Sequence, residues 1–389
     1  MEFETWYLSA LPVLFGVGWW ARGHEARVRA ADQGAAPRSL FRGLQLLLSD
    51  EPDRAIDAFI EVVKLDPETI ELHYALGSLF RRRGEIDRAV RIHNYLLSRA
   101  DLPASERANA LAELGRDYLK GGMLDRAENA FSRLLEERVH RFEALRSLLR
   151  IYQMEREWTR AIECAQRLEG EAGETHQVAT AHFHCELAEQ AIAGGELGRA
   201  AVQLEAALAA HRKSVRAAML TGDVAMKRDR RAEAIGAWMR IATEAPEYMP
   251  LVMDPLMAAL DAEGRRGEAA ALLRRSLQEH PSIDALDVGC RWIRQWEGAA
   301  AAEALLRDGL KQHPSLLGFE RLLAIRDGPA AADPELAPLR ALIQTHAQKL
   351  ARYRCRQCGF RSREFYWSCP GCTSWDSYPP RRIEELEVT

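Results

Sequence analysis

The chain has 389 residues, of which 28% are charged, and its 53 basic and 57 acidic side chains give a net charge of −4. This balance excludes the strongly basic surface of a nucleic-acid-binding protein, so no nucleic-acid partner is expected. Seven cysteines are too few and too unevenly placed for a disulfide scaffold, and the length predicts two or three folding units.

Residues 1–21 are predicted to form a transmembrane anchor. The run Trp6–Ala21 carries no charge and has paired aromatic residues at both ends, which is typical of a helix that meets two membrane interfaces. Arg22 and Arg27 follow this run and no basic residue precedes it, so the positive-inside rule places the bulk of the chain in the cytoplasm. A cleaved signal peptide is the alternative, which the acidic start of the chain disfavours. Residues 22–36 are interpreted as a juxtamembrane linker.

Residues 37–326 are predicted to form about eight tetratricopeptide repeats. The clearest units have a glycine in the first helix, an aromatic residue or leucine in the second, and a proline after it. The small residue lets two antiparallel helices approach closely, the aromatic residue fills the gap to the next pair of helices, and the proline ends the second helix. Between these positions an alanine recurs roughly every 34 residues, at Ala55, Ala89, Ala127, Ala161, Ala200, Ala234, Ala269 and Ala302.

No such unit can bury its apolar face alone, so the units are expected to stack into a superhelix. The fourth and fifth units depart from the repeat pattern. Leu149 and Ala188 stand at the small position, and Ala165 stands where an aromatic residue is usual. The repeats are therefore predicted to be least regular in the middle of the array.

Residues 327–351 are interpreted as a break followed by a connecting helix. The first part is rich in Gly, Pro and Ala, and apolar residues then recur at helical spacing from Pro334 to Leu350. This helix leads without a linker into the next module. We therefore expect that module to pack against the end of the array.

Residues 352–379 are predicted to form a small metal-binding module. Two Cys-x-x-Cys pairs, Cys355 with Cys358 and Cys369 with Cys372, are separated by ten residues. This spacing is typical of two knuckles whose four thiolates bind one tetrahedral metal ion. Two disulfides or a dithiol redox pair are the alternatives. The surrounding apolar shell is predicted to come from Tyr353, Phe360, Trp367 and Trp375, and residues 380–389 are interpreted as a polar tail.

Zinc and iron both accept four thiolates, and the sequence leaves the choice open. The Cys-x-x-Cys-Gly and Cys-Pro-x-Cys knuckles are like those of iron-binding rubredoxins, whereas the short gap is closer to a structural zinc ribbon. Thr373 also stands where a rubredoxin usually has glycine. Because four cysteines leave no coordination position for substrate, the metal is predicted to be structural or regulatory.

Nothing in the sequence indicates catalysis. It contains no nucleophile elbow, phosphate-binding glycine loop or HExxH motif, so the protein is predicted not to be an enzyme. His182 and His184 are two residues apart, which on a helix directs them to different faces. The isolated cysteines are interpreted as buried apolar residues; they are Cys164, Cys185 and Cys290.

The order of anchor, repeats and four-cysteine module resembles the lipopolysaccharide assembly protein B family over essentially the whole chain. The most specific stretch is YRCRQCGFRSREFYWSCPGCTSWDSY. The resemblance implies an inner-membrane, single-pass protein that regulates lipopolysaccharide synthesis as an adaptor. It further implies that the membrane protease FtsH and the deacetylase LpxC are partners, with LpxC presented for degradation, and that membrane proteins of lipopolysaccharide sensing or assembly are also bound.

The sequence thus predicts an all-α tetratricopeptide-repeat superhelix with an N-terminal transmembrane helix and a small C-terminal rubredoxin-like or zinc-ribbon metal domain. Two other functions stay open. One is a redox-sensing or electron-transfer protein that uses a rubredoxin-like iron site, and the other is a structural scaffold of a membrane biosynthetic complex. Iron would give intense visible absorption and zinc none, so the spectrum of the purified protein tests the first of these.

Overall fold

A computed structural model describes residues 45–46, 52–65, 69–137, 140–326, 337–350 and 352–383. These residues form two compact units. The first extends to Glu157 and includes Gly170–Gly173; the second comprises Trp158–Glu169 and the chain from Glu174 on. No helix among the described residues is long and apolar enough to cross a membrane. The anchor predicted at residues 1–21 lies outside them.

Helices form nearly all of the described part of the first unit, and short turns connect most of them. Their bounds are α1 Pro52–Leu65, α2 Ile70–Arg82, α3 Ile86–Ser98, α4 Ala104–Lys120, α5 Leu124–Leu134 and α6 Arg141–Glu155.

The described part of the second unit is also mainly helical. Its helices are α7 Trp158–Ala172, α8 Gln177–Ala193, α9 Leu197–Ala210, α10 Val215–Lys227, α11 Arg231–Glu244, α12 Met249–Ala262, α13 Arg266–Glu279, α14 Ile283–Glu297, α15 Ala299–Gln312, α16 Leu316–Arg326 and α17 Ala337–Leu350. A 3-10 turn, Pro246–Tyr248, precedes α12, and two short antiparallel strands follow α17, namely β1 Tyr353–Arg354 and β2 Arg361–Ser362.

The glycines of the repeat pattern lie where two helices meet most closely. Gly115 on α4 faces the Phe131 ring of α5, and a Cβ atom there would be 2.9 Å from that ring. At Gly77 the second-helix residue is His93, whose ring would be 2.5 Å from an added Cβ. The predicted close approach of two helices at the small residue is therefore confirmed at both sites. The large residue, predicted to fill the gap to the next pair, lies instead against the glycine of its own unit, and at one site it is histidine.

His93 makes that second site polar although its side chain is fully buried. His93 Nδ1 lies 2.5 Å from an oxygen of the buried Asp117, and Arg81 Nη1 donates to the other oxygen at 2.8 Å. Arg81 also pairs with Glu113 at 2.7 Å. Asp117 thus joins α2, α3 and α4, which compensates for the desolvation of its charge.

Gly222 on α10 allows the closest helix contact of this kind in the second unit's described core. Replacing it with alanine is expected to lower the free energy of unfolding by about 2–3 kcal/mol. The new Cβ would lie 2.2 Å from Trp238 Nε1, and Trp238 is only 1% exposed. Urea unfolding measures the change.

Gly236→Ala is the matched control on α11. Gly236 is exposed, and an added Cβ there meets nothing within 4 Å. Alanine in an exposed helix interior is expected to stabilise the fold by up to about 1 kcal/mol. Effects of equal sign in the two variants would contradict the role assigned to Gly222.

Candidate metal centre

The first cysteine pair lies at the end of β1 and is closed by two backbone hydrogen bonds. The Cys355 N–H donates to Phe360 O at 2.9 Å, and the Gly359 N–H donates to Cys355 O at 3.0 Å. Gly359 has φ of 76°, a left-handed conformation that glycine adopts without strain. This turn directs the sulfurs of Cys355 and Cys358 to the same side.

The second pair repeats this backbone geometry. The Cys369 N–H donates to Ser374 O at 3.0 Å, and the Thr373 N–H donates to Cys369 O at 2.8 Å. The Gly371 N–H lies 3.3 Å from Cys369 Sγ and donates to it. Ser368 and Trp375 form a β-bridge beside the turn.

The four predicted ligands converge on one point. Their sulfurs all lie within 4.8 Å of one another, with Cys355 Sγ 3.8 Å from Cys372 Sγ and Cys358 Sγ 3.6 Å from Cys369 Sγ. A tetrahedral zinc–thiolate site, with Zn–S bonds of about 2.3 Å, has sulfur–sulfur edges of about 3.8 Å. The donor set and its spacing therefore fit one tetrahedral ion.

Hydrogen bonds around the Cys355 sulfur favour the ionised form that a metal requires. Burial opposes ionisation of Cys355, but the Ser377 hydroxyl and the backbone N–H groups of Gln357 and Cys358 outweigh it. Together they lower the pKa of the Cys355 thiol to about 6. Ser377 Oγ lies 3.3 Å from Cys355 Sγ. Since thiolate is the ligand form, Cys355 is prepared for metal. At Cys358 the Phe360 N–H lowers the pKa, but desolvation and hydrogen bonds with the other three cysteines outweigh it and raise the pKa of this thiol to about 12.

Thr373 occupies in the second knuckle the place that Gly359 has in the first. Its φ is 58°, which is unfavourable for a β-branched residue. Thr373→Gly is expected to stabilise the module by about 1 kcal/mol, whereas Gly359→Ala is expected to destabilise it by a similar amount. An added Cβ at Gly359 meets nothing within 4 Å. The backbone conformation alone therefore decides whether the substitution stabilises or destabilises the module. Chelator-induced unfolding of the two variants measures both.

The small core beside the metal centre differs in part from the prediction. Tyr353 is buried, as expected, but Phe360 is 42% exposed. Trp367 and Trp375 face the repeat helices instead of the sulfurs. Tyr378, which is fully buried, fills the core together with Phe365 and Tyr366, which are half-buried against it.

The module packs on the repeat helices through Trp375 and Asp376. The Trp375 ring stacks on His182 of α8 with centroids 4.6 Å apart and planes at 15°. His182 Nε2 lies 2.9 Å from Asp376 Oδ1, and the His182 side chain is 2% exposed. His184, two residues on, contacts Gln203 instead, which confirms that the two histidines diverge.

An aromatic cluster extends this contact to both sides. The Trp375 ring makes T-shaped contacts with Trp158 and with Phe183, with ring centroids 6.4 Å and 6.0 Å apart. Trp367 stacks on Tyr248, beside α12, at 6.0 Å and 9°. Such aromatic pairs contribute roughly 0.5–1.5 kcal/mol each beyond the area they bury.

Asp284, near the start of α14, holds the other end of the module. It accepts hydrogen bonds from Tyr353 Oη at 3.0 Å and from Arg382 Nε at 2.8 Å, and Arg382 Nη2 donates to its second oxygen at 3.0 Å. The Arg382 guanidinium also lies 4.0 Å from the Tyr353 ring centroid. Arg382 lies in the segment interpreted from sequence as a tail, residues 380–389, so that segment takes part in the contact.

The expectation that the module packs against the end of the array is therefore wrong in its location. The contacts run from Trp158 at the start of α7 to Asp284 on α14. Sequence reasoning also missed His182, Asp376 and Asp284 as docking residues. The irregular repeat pattern around residues 149–188 is a sequence signal for the units that contain Trp158, His182 and Phe183. It does not extend to Asp284 or Asp376.

The three isolated cysteines lie apart from the metal centre and are buried, as predicted. Burial raises the pKa of the Cys290 thiol to about 12 and that of the Cys185 thiol to about 12. Such thiols behave as small apolar side chains. The chemistry of the described cysteines is thus concentrated in the two knuckles.

Two family models match the chain. Residues 353–379 match the rubredoxin metal binding domain, and residues 43–101, 112–174 and 185–250 match the tetratricopeptide repeat. Both the predicted repeats and the predicted rubredoxin-type module are thereby confirmed.

Curated relatives match over nearly the full length. The chain is 35% identical to lipopolysaccharide assembly protein B of Escherichia coli strain K12, over 96% of this chain and 97% of that protein. It is 28% identical to lipopolysaccharide assembly protein B of Haemophilus influenzae, over 96% of this chain and 98% of that one. Among solved structures, Naa15/Naa10 bound to HypK-THB is similar at 14% identity with a TM-score of 0.43, over 81% of this chain and 46% of that chain.

Proposed function

Because the chain belongs to the lipopolysaccharide assembly protein B family, we propose that it is an adaptor that regulates lipopolysaccharide synthesis at the inner membrane. It is a non-enzymatic protein, as its repeats and its family indicate. The adaptor presents the deacetylase LpxC to the membrane protease FtsH for degradation and contacts membrane proteins of lipopolysaccharide assembly. The observation that carries the proposal is full-length similarity to a family named for lipopolysaccharide assembly.

The metal centre has a structural part in this proposal. Cys355, Cys358, Cys369 and Cys372 hold one zinc or iron ion, which when bound cross-links two knuckles that have little core of their own. Trp375 and Asp376 follow directly after the second knuckle, so an ordered metal centre holds them against His182. Metal binding thereby stabilises the contact between the module and α8 of the repeat array.

The repeats supply the docking surface and the anchor supplies the location. Stacked helix pairs expose extended grooves that bind peptides or helices of partners. Residues 1–21, as a single-pass anchor with the rest of the chain on the cytoplasmic side, confine a bound client to the membrane. This confinement raises the effective concentration of the client near a membrane protease.

The test is the lifetime of LpxC after protein synthesis is halted. Depletion of the chain is expected to lengthen the LpxC half-life several-fold and to cause excess lipopolysaccharide. Removal of residues 1–21 is expected to give the same result, because the repeats still bind LpxC but no longer deliver it. An unchanged decay rate of LpxC in depleted cells would contradict the adaptor function and favour the scaffold or redox function.

A further inference from the structure

A groove of about 820 Å³ lies between α3, α4 and α5 in the first unit. Its floor is apolar and formed by buried side chains of α4 and α5, including Leu111, Leu114 and Leu134. Its rim is polar and exposed. The volume lies within the range of about 300–1,000 Å³ that is usual for ligand sites.

Two amides stand on opposite walls of this groove. Asn94 belongs to α3 and Asn129 belongs to α5, and both side chains are exposed. Neither amide has a hydrogen-bond partner among the described residues. An asparagine amide offers one acceptor and two donor hydrogens, so the pair can bind the N–H and C=O groups of an extended backbone between the walls.

The rim also carries net positive charge, because three arginines and two carboxylates line the groove. Arg107 donates to the backbone oxygens of Leu97 and Arg99 at 3.3 Å, and the Arg126 guanidinium lies 5.8 Å from the Tyr118 ring. Arg133 makes no polar contact of its own within the described chain. None of these three groups pairs with a carboxylate of a described residue, although Asp125 and Glu137 lie at the ends of the same wall.

The dimensions of the groove limit the occupant to a short extended segment. From Asp125 to Leu134, α5 forms a wall of about 14 Å, which matches roughly four residues of extended chain. In extended chain, alternate side chains point to opposite faces. One set can therefore enter the apolar floor while the other meets the arginines.

We propose that this groove binds an extended peptide of a partner protein in which apolar residues alternate with Asp or Glu. The apolar side chains enter the floor, Asn94 and Asn129 bind the backbone, and the three arginines bind the carboxylates. The inference deepens the proposed adaptor function, on which it rests for its use in the cell but not for the binding itself.

Fluorescence anisotropy with the purified full chain tests the proposal. The probe is a fluorescein-labelled heptapeptide of alternating Glu and Leu, and its charge reversal is a heptapeptide of alternating Lys and Leu. Saturable binding of the acidic peptide and at least about tenfold weaker binding of the basic one are expected. The acidic peptide should also bind more weakly as salt concentration rises, since the arginines are exposed.

Two groove variants locate the binding. Arg133→Glu and the double variant Asn94→Ala with Asn129→Ala are each expected to weaken the acidic peptide about tenfold, because each removes charge-assisted or backbone hydrogen bonds. Arg91→Glu is the matched control, since Arg91 is exposed on α3 but does not line the groove. It is expected to change the affinity less than about twofold.

Each of the three variants should unfold at the same midpoint temperature as the wild-type protein, which would show that the fold is kept. Absence of saturable binding, equal binding of both peptides, or equal effects of Arg133→Glu and Arg91→Glu would each overturn the proposal. These outcomes are independent of the LpxC lifetime in cells. A groove that fails the peptide test therefore leaves the adaptor function to its own measurement.

Discussion

Replacing Cys369 with serine is expected to abolish metal binding and to unfold residues 352–383 while the repeat helices stay folded. Cys369 is fully buried and lies 3.6 Å from Cys358 across the site. Serine is a poorer ligand for a thiolate-binding metal, and structural zinc contributes on the order of 10 kcal/mol to the folding of a small module. In the described core of this module, only two aromatic residues are buried, Tyr353 and Tyr378. Their packing is too small to replace the contribution of the metal.

Native mass spectrometry and hydrogen exchange measure this result. One metal ion per chain is expected in the reduced wild-type protein and none in Cys369→Ser. The amides of Cys355 and Thr373, which are hydrogen-bonded in the knuckles, should then exchange as in an unfolded chain. Cys290→Ser is the control, because Cys290 is buried outside the metal centre and 3.7 Å from the Ala302 oxygen. Metal retained at one ion by Cys369→Ser would show that this residue is not a ligand.

Replacing Asp284 with alanine is expected to release the module from the repeat helices without loss of metal. The substitution removes the three hydrogen bonds that Tyr353 and Arg382 donate to the Asp284 carboxylate. The Asp284 side chain is only 30% exposed and that of Arg382 only 18%, so solvent replaces these contacts poorly. A cost of about 2–4 kcal/mol to docking follows.

Asp287→Ala is the matched control on the same helix. Asp287 pairs with Arg321 at 3.2 Å, but both side chains are about half exposed, so the expected cost is below about 1 kcal/mol. Faster hydrogen exchange across residues 352–383 with one metal ion still bound is expected only in Asp284→Ala. Loss of metal in this variant would mean that docking and metal binding form one cooperative unit.

The repeat array was predictable because its contacts are local in sequence. Gly222 and Trp238 lie in adjacent helices of one unit, and the need for a small residue opposite a large one leaves a periodic trace in the sequence. The cysteine knuckles were predictable for a similar reason, since two residues between ligands set the turn. In both cases the constraint and its signal lie within about 40 residues.

The docking of the module was not predictable by the same reasoning. His182 and Asp376 are separated by 194 residues, and neither has a residue type or spacing that indicates its partner. From its sequence context alone, His182 is predicted only to lie on a helix. Trp375 is predicted only to belong to the apolar shell of the metal centre. The exposed position of Phe360 and the central place of Tyr378 were missed because one sequence does not show which aromatic residue faces inward.

The irregular fourth and fifth units now have a physical explanation. A regular repeat is optimised to pack only against its neighbours. Trp158, His182 and Phe183 instead form a surface that receives Trp375. The requirement to bind a segment from the far end of the chain competes with the repeat consensus at these positions.

The hydrogen bond between His182 and Asp376 also means that the module can dock only after the whole repeat array has been translated. Helices α7 to α15 can form as they leave the ribosome, because each contacts mainly its neighbours, but their partner residues in the module are translated last. Until Asp376 and Arg382 emerge, the aromatic face of α8 and the carboxylate of Asp284 are open to chaperones and proteases. A nascent chain that stops short of the second cysteine pair therefore keeps an exposed aromatic surface, by which quality control can distinguish an unfinished protein from a finished one.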